Sequence, residues 1–260
     1  STDSGSAFTG TAGDDTFAGT LTFASDAIAA SATLTAGDTL TGGEGTDTLS
    51  ITSADALTIS SLSVANKATM DANLNNLETL VLSDAWDDDF AMDDLASLTT
   101  IKMGGAAFDW IENDQAMTKV VDATTIELNG EASAATDTGT VTMTSATGTA
   151  DSLTIKLNDQ EAGGGGADAA EFGEIAAAGV ETININSTKL AAGAGTSNTL
   201  DLTATGAGGL TTLTITGDLA LTSIISSTTL ATVNASGSTI TGTTGMDLTA
   251  TSSTVATTFT

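Results

Sequence analysis

Alternation of large apolar and polar residues is the main pattern along this chain. Leu153, Ile155 and Leu157 alternate with polar neighbours, as half-buried β-strands do. The segments with the same alternation are 77–82, 98–103, 180–185 and 210–215. From Leu200 to Leu248, large apolar residues recur about every ten residues, the length of one strand plus one turn. The pattern predicts an all-β fold, either a parallel β-solenoid with coils about 4.8 Å apart or β-sandwich domains.

Three other segments lead to expectations of secondary structure. Leu57, Ile59, Leu62 and Val64 alternate with polar residues, which predicts half-buried strands across residues 51–64. Residues 66–76 and 168–178 are compatible with short helices, and each is followed by a strand of the form apolar-Glu-Thr-apolar. We therefore expect a structural repeat of helix and strand.

Residues 42–50 (GGEGTDTLS) fit the nine-residue template G-G-x-G-x-D-x-U-x, with U a large apolar residue, of calcium-binding parallel β-rolls. Glycines allow backbone angles that other residues avoid, so the turn tightens and its carbonyl oxygens point to one spot. The carboxylate of the aspartate suits Ca²⁺, which takes six to eight oxygen ligands. The candidate ligand residues of this copy are Gly42, Gly43, Gly45 and Asp47.

A weaker copy of the template lies at residues 10–18 (GTAGDDTFA). Its candidate ligand residues are Gly10, Gly13, Asp14 and Asp15. The two copies are not in tandem, whereas β-rolls bind Ca²⁺ between consecutive turns, so each copy is expected to be a half-site that another loop completes. The loop around Asp38 is one candidate. A pair of Gly/Asp turns without metal also fits these residues.

The chain is strongly acidic, with 33 Asp and Glu residues against five Lys and Arg, and its formal net charge is −28. Such a field repels nucleic acid and anionic membranes and attracts cations. Without Cys, His or Tyr the chain lacks disulfides, thiolate nucleophiles and the usual general base. We therefore expect a protein that is not an enzyme and does not bind nucleic acid. No apolar stretch approaches the length of about 20 residues that a membrane-spanning helix needs, so we expect no membrane span.

Acidic runs supply further candidate ligands. Asp87, Asp88 and Asp89 follow Trp86, and carboxylates this close repel each other unless a cation bridges them. A solvated loop also explains such a run. Trp86 and Trp110, with Asp87, Asp109 and Asp114 nearby, suggest a sugar-binding platform, although a place in the core fits both tryptophans as well.

On these residues the chain resembles the calcium-dependent, RTX-type S-layer proteins of Gram-negative bacteria. The resemblance rests on the two nonapeptides and on segments 180–188 (VETININST) and 229–237 (TLATVNASG). It implies that Ca²⁺ at the Gly-Asp turns drives folding and lateral assembly outside the cell, after type I secretion with an uncleaved C-terminal signal. From the Thr-rich run at 252–260, which has no closing cap, we also expect a fragment or processed product of a longer protein.

Together these observations predict a parallel β-solenoid or β-helix with Gly-Asp calcium turns and a few short helices. We expect a Gly/Asp-turn region at 1–64 and a solenoid-like repeat at 65–260, an arrangement also compatible with one continuous domain. The expected function is a secreted, Ca²⁺-binding structural protein that assembles with copies of itself into a surface layer, filament or matrix fibre. Cell-surface polysaccharide is a second expected partner. The alternative is a calcium-dependent adhesin or glycan-binding module.

Overall fold

The computed structural model describes residues 7–18, 39–62, 68, 72–92, 95, 97–104, 109–143, 150–159, 169–189, 197–204, 209–239, 246–251 and 258–260. Helix α1 spans Ser53–Ser60. The strands are β1 (Ala7–Thr9), β2 (Thr16–Ala18), β3 (Thr39–Thr41), β4 (Thr48–Ile51), β5 (Leu74–Asn75), β6 (Thr79–Leu82), β7 (Phe90–Ala91), β8 (Thr100–Met103), β9 (Gln115–Val120), β10 (Thr124–Asn129), β11 (Thr138–Met143), β12 (Ser152–Asp159), β13 (Ala169–Ala178), β14 (Thr182–Lys189), β15 (Ser197–Thr203), β16 (Thr212–Gly217), β17 (Ala220–Ser226), β18 (Thr232–Ser238), β19 (Asp247–Thr251) and β20 (Thr258–Phe259).

Consecutive strands alternate between opposite sheets. The even-numbered strands form one ten-stranded sheet from β2 to β20. The odd-numbered strands form a three-stranded sheet (β1, β3, β5) and a seven-stranded sheet (β7 to β19). Within the described part of the chain every strand pairing is parallel. This arrangement confirms the predicted parallel β-solenoid, in which each coil adds a strand to both sides.

Coil length varies along the solenoid, although the order of strand pairing is kept and the register shifts within only three of the pairings described. Thr16 pairs with Thr48 near the start of the chain, and Thr212 pairs with Thr232 towards its end, so the first of these coils is much the longer. The difference is taken up by the connections between strands, because the paired apolar positions remain aligned. The ten-stranded sheet contains strands from both predicted regions, 1–64 and 65–260.

The core is a stack of apolar side chains between the two sides of the solenoid. Inward positions alternate with outward ones, as at Leu153, Ile155 and Leu157, which are completely buried. The larger side chains Trp86 and Trp110 also lie in this stack, with ring centroids 6.1 Å apart. Parallel sheets bury their inner faces in this way because both sides share one core.

The strands predicted across residues 51–64 are wrong at residues 52–62, because α1 follows β4 directly. Residues 63 and 64 lie outside the described part of the chain. Thr52 caps this helix: its hydroxyl accepts a hydrogen bond from the amide of Asp55 (3.1 Å), and the Asp55 carboxylate accepts the amide of Thr52 (3.4 Å). This reciprocal capping box satisfies amides that a helix start leaves open. No helix in the described ranges is long and apolar enough to cross a membrane.

The helix predicted at residues 168–178 is also wrong, because Ala169–Ala178 form strand β13. Alanine and glutamate favour helices locally, but β13 pairs on one side with β11 and on the other with β15. Pairing on both edges outweighs the local preference. In the other predicted helix, 66–76, the described residues 68, 72 and 73 are helical, whereas Leu74–Asn75 form strand β5. Residues 66, 67 and 69–71 lie outside the described part of the chain.

Candidate metal site

The two nonapeptide copies lie on consecutive coils of the solenoid. Strand β1 pairs with β3 and β2 with β4, so segment 10–18 stacks against segment 42–50. The amide of Gly10 donates to the carbonyl oxygen of Thr41 at 2.7 Å. The two turns are therefore direct neighbours.

Hydrogen bonds between the turns involve the predicted acidic residues. The amide of Asp15 donates to Oδ1 of Asp47 at 2.8 Å, and the amide of Thr46 donates to Oδ1 of Asp14 at 2.8 Å. Within the first copy, Oδ2 of Asp15 accepts the amide and the hydroxyl of Thr11. The structure thus brings the aspartates of both copies into one stack of turns.

A fourth acidic residue, which the sequence analysis missed, extends this stack to the next coil. Oε2 of Glu78 accepts the amide of Asp47 at 2.9 Å, and the carbonyl oxygen of Asp47 accepts the amides of Glu78 and Thr79. The signal was present in the sequence, because segments 47–49 and 78–80 have the same acidic-Thr-Leu form.

The Asp47 carboxylate is completely buried, and its Oδ2 atom has no hydrogen-bond partner. An unpaired buried acceptor costs about 1–3 kcal/mol, and more when the group is charged. A cation at this oxygen would offset that cost, and a hard carboxylate oxygen is a ligand that Ca²⁺ prefers. The side chain that the template assigns to calcium therefore has a free ligand atom.

The turns approach each other so closely that side chains have no room at several glycines. A β-carbon on Gly42 would lie 2.6 Å from the β-carbon of Asp47 and would collide with the carbonyl oxygen of Asn76. Gly45 has a φ of 123°, which side chains rarely adopt, and its β-carbon would lie 2.8 Å from the backbone of Gly13. Gly13 itself has open space, so this position does not require glycine.

The remaining glycines of the template also face neighbouring backbone. Gly10 lies against the carbonyl of Gly42, and Gly43 lies against the carbonyl of Thr11. Asp38 falls outside the described residues. In the described ranges no three acidic side chains converge on one point. A site in these turns would therefore take most of its oxygens from backbone carbonyls, which Ca²⁺ accepts alongside carboxylates.

The aspartates at 87–89 form a separate acidic group beside the start of α1. The amides of Asp87 and Asp88 both donate to the hydroxyl oxygen of Ser53, at 3.1 and 3.0 Å. Oδ1 of Asp89 accepts the amide of Ala116 at 2.6 Å. The amides and one carboxylate of this run thus stabilise the contacts between coils.

Burial and neighbouring negative charges both raise carboxyl pKa values in this group. Burial, with the nearby charges of Asp87, Asp84 and Asp89, raises the pKa of Asp88 above its usual value. Burial and the charges of Asp87 and Asp55 raise the pKa of Asp84, even though Asp84 accepts the amide of Ser53 at 2.7 Å. The group therefore has excess negative charge, which a cation would reduce.

Both tryptophans belong to the core. Trp86 and Trp110 are completely buried, and the indole nitrogen of Trp86 donates to the carbonyl oxygen of Asp88 at 2.8 Å. Neither ring is accessible for stacking on a sugar.

Comparison of this chain with models of protein families, with characterised proteins and with solved structures finds no match.

Proposed function

We propose that this protein is a calcium-binding structural protein that folds on Ca²⁺ outside the cell and assembles with copies of itself. The observation that supports calcium binding is the buried Asp47 Oδ2, which lacks a partner inside a stack of two glycine-aspartate turns. The proposed ligands are this carboxylate, that of Asp15 and carbonyl oxygens of both turns. Ca²⁺ bound there would link consecutive coils.

Calcium would also act on the charge of the whole chain. The net charge of −28 opposes compaction, and each divalent ion that binds the folded state lowers this repulsion. Binding only to the folded state stabilises it by mass action. In a cell with little free Ca²⁺ the chain would remain unfolded for secretion. It would then fold at the higher Ca²⁺ concentration outside.

Self-assembly is supported by the ends of the solenoid. Strand β2 is at one end of the ten-stranded sheet and β20 is at the other, and neither has a second partner among the described strands. Unpaired edges of parallel strands offer amide and carbonyl groups to another chain. We propose a surface layer, filament or matrix fibre as the product, with cell-surface polysaccharide as its anchor.

A structural role is favoured over an enzymatic one, because the sequence has no histidine, cysteine or tyrosine to serve as base or nucleophile. The alternative of a glycan-binding adhesin loses one supporting observation, since Trp86 and Trp110 lie in the core. It remains a distinct outcome of the experiment that follows.

The experiment is a calcium titration of the purified chain, from chelator to about 10 mM, followed by far-UV circular dichroism and light scattering, with Mg²⁺ as the control. We expect β signal and particle size to rise together with Ca²⁺ only. A gain of β signal in a chain that stays monomeric favours the adhesin. A circular dichroism spectrum that does not change on addition of Ca²⁺ would contradict the proposal.

A further inference from the structure

A second group of acidic residues occupies the same edge of the ten-stranded sheet, several coils from the nonapeptides. Asp122, Asp151 and Glu181 each precede the start of a strand in that sheet, on three consecutive coils. Ser152 pairs with Thr182 in register, which places Asp151 beside Glu181. Neither the template nor the acidic runs pointed to these residues.

Backbone hydrogen bonds hold Asp151 and Glu181 together. Oε2 of Glu181 accepts the amide of Asp151 at 2.9 Å, and the carbonyl oxygen of Asp151 accepts the amides of Glu181 and Thr182, both at 3.1 Å. The Glu78–Asp47 contact has the same form: a carboxylate on one coil accepts the amide of the acidic residue on the preceding coil. The two acidic groups are therefore built alike.

Two carboxylate oxygens in this group are buried without a partner. Glu181 is 6% exposed, and its Oε1 accepts no hydrogen bond. Oδ2 of Asp151 is likewise buried and unpaired. The buried carboxylate of Asp137 is different, because its Oδ2 accepts the hydroxyl of Ser133 at 2.7 Å and an amide at 2.9 Å. The unpaired oxygens of Asp151 and Glu181 therefore lack the partners that a buried carboxylate ordinarily has.

The surroundings add negative charge. Oδ1 of Asp122 accepts the amide and the hydroxyl of Ser152, at 2.7 and 2.9 Å, and these bonds hold the pKa of Asp122 below its usual value. Lys102 and Lys156, on strands β8 and β12, both pair with Glu127. A single proton shared by the carboxylates of Asp151 and Glu181 would satisfy one of the two buried oxygens and leave one negative charge, whereas a divalent cation would neutralise both carboxylates.

We infer that Asp151 and Glu181 form a second divalent-cation site, in which Oδ2 of Asp151 and Oε1 of Glu181 are ligands and Asp122 adds an outer negative charge. The chemistry favours Ca²⁺ over Mg²⁺, because Mg²⁺ keeps several waters in strict octahedral geometry and these oxygens are out of contact with solvent. The inference does not depend on the nonapeptide turns, since it uses none of their residues.

The test counts bound ions by equilibrium dialysis with radioactive Ca²⁺ at neutral pH, on the full chain. The variants are Glu181→Gln and Asp151→Asn, which keep side-chain volume and an oxygen acceptor. The matched control is Glu112→Gln, at an exposed position. Asp47→Asn reports separately on the nonapeptide site. Circular dichroism in Ca²⁺ establishes that each variant is folded.

We expect E181Q and D151N each to bind one ion fewer than the unmodified chain, and the double variant to bind no fewer than either. E112Q binds the full number. If E181Q and D151N bind as many ions as E112Q, the second site does not exist. A loss in D47N alone would support the nonapeptide site and overturn this one. If E181Q and D151N bind fewer ions and D47N does not, the result would support this second site and overturn the nonapeptide site.

Discussion

The amide of Asp15 donates a 2.8 Å hydrogen bond to Oδ1 of Asp47 on the next coil. That bond uses one oxygen of a completely buried carboxylate and leaves Oδ2 unpaired. The side chain that joins the two turns therefore also has the ligand atom for a cation. Substitutions at and around it separate stacking from metal binding.

Asp47→Asn should abolish the calcium-dependent stability that this site supplies. Asparagine keeps an oxygen for the amide of Asp15 but replaces Oδ2 with an NH₂ group that cannot bind Ca²⁺. At free Ca²⁺ of 100 times the dissociation constant, one site contributes about 2.7 kcal/mol. That corresponds to a rise of about 5–10 °C in Tm for a domain of this size. Thermal unfolding in Ca²⁺ and in EDTA measures the difference.

The control for D47N is Asp218→Asn, because Asp218 is exposed and the substitution removes the same charge. D218N should keep the full Ca²⁺-dependent rise in Tm. Equal rises in D47N and D218N would show that Asp47 holds no ion.

Gly42→Ala should destabilise the folded chain, whereas Gly13→Ala should not. The added methyl group at Gly42 would collide with the carbonyl oxygen of Asn76, and overpacking of this kind costs about 1–3 kcal/mol or more. At Gly13 the methyl group meets open space, although both glycines occupy template positions. Urea unfolding in Ca²⁺ compares the two. Equal destabilisation of both variants would contradict the close stacking at Gly42.

Gly139→Ala should also destabilise the protein, through the tryptophans. A β-carbon at Gly139 would lie 2.9 Å from Cζ3 of Trp86 and 3.0 Å from Cη2 of Trp110. Both rings are completely buried and cannot move aside freely, so we expect a loss of about 1–3 kcal/mol. Gly13→Ala, with its open space, is again the control. Tryptophan emission during urea unfolding follows both variants, and a G139A midpoint equal to that of G13A would argue against this packing.

Asp84→Asn should stabilise the chelated protein at neutral pH. Burial raises the pKa of Asp84, so the folded state loses stability as pH rises through that raised pKa and the buried group ionises. Asparagine avoids this ionisation and keeps an acceptor for the amide of Ser53. Below the ordinary pKa of aspartate, Asp84 is protonated in both states, and its protonation no longer changes stability with pH. Urea unfolding in EDTA from about pH 3 to 7 measures the free energy of unfolding of D84N relative to the unmodified chain. This difference should grow with pH.

Asp122→Asn should change the stability of the folded chain in the opposite direction. Hydrogen bonds from Ser152 lower the pKa of Asp122, so its carboxylate stabilises the folded state above the ordinary pKa of aspartate. That stability is lost as pH falls through the lowered pKa. In EDTA, D122N should therefore be less stable than the unmodified chain at neutral pH and approach it in acid. If both variants were more stable than the unmodified chain in the same urea series, the assignment for Asp122 would be contradicted. If both were less stable, the assignment for Asp84 would be.

The alternation of apolar and polar residues correctly predicted several strands, of which β12 is the clearest. Leu153, Ile155 and Leu157 pointed to β12 because a period of two puts one face of a strand in the core. The same reasoning was wrong at Ser53–Ser60, where a capping box outweighed the alternation, and alanine content was misleading at Ala169–Ala178. Local preference could not show that β13 has partners on both edges.

The sequence by itself determined an all-β chain of regularly spaced strands, its acidic charge and the two glycine-aspartate segments. Only the tertiary structure decided for the solenoid over the sandwich, and showed that the two segments stack as neighbours, that Glu78 joins them, and that Asp151 meets Glu181. The reason is that coil length is set by connections between the strands, and these differ in length without changing which strands pair. The coils bring the chain back to the same edge of the ten-stranded sheet after different numbers of residues. These numbers therefore decide which carboxylates become neighbours there.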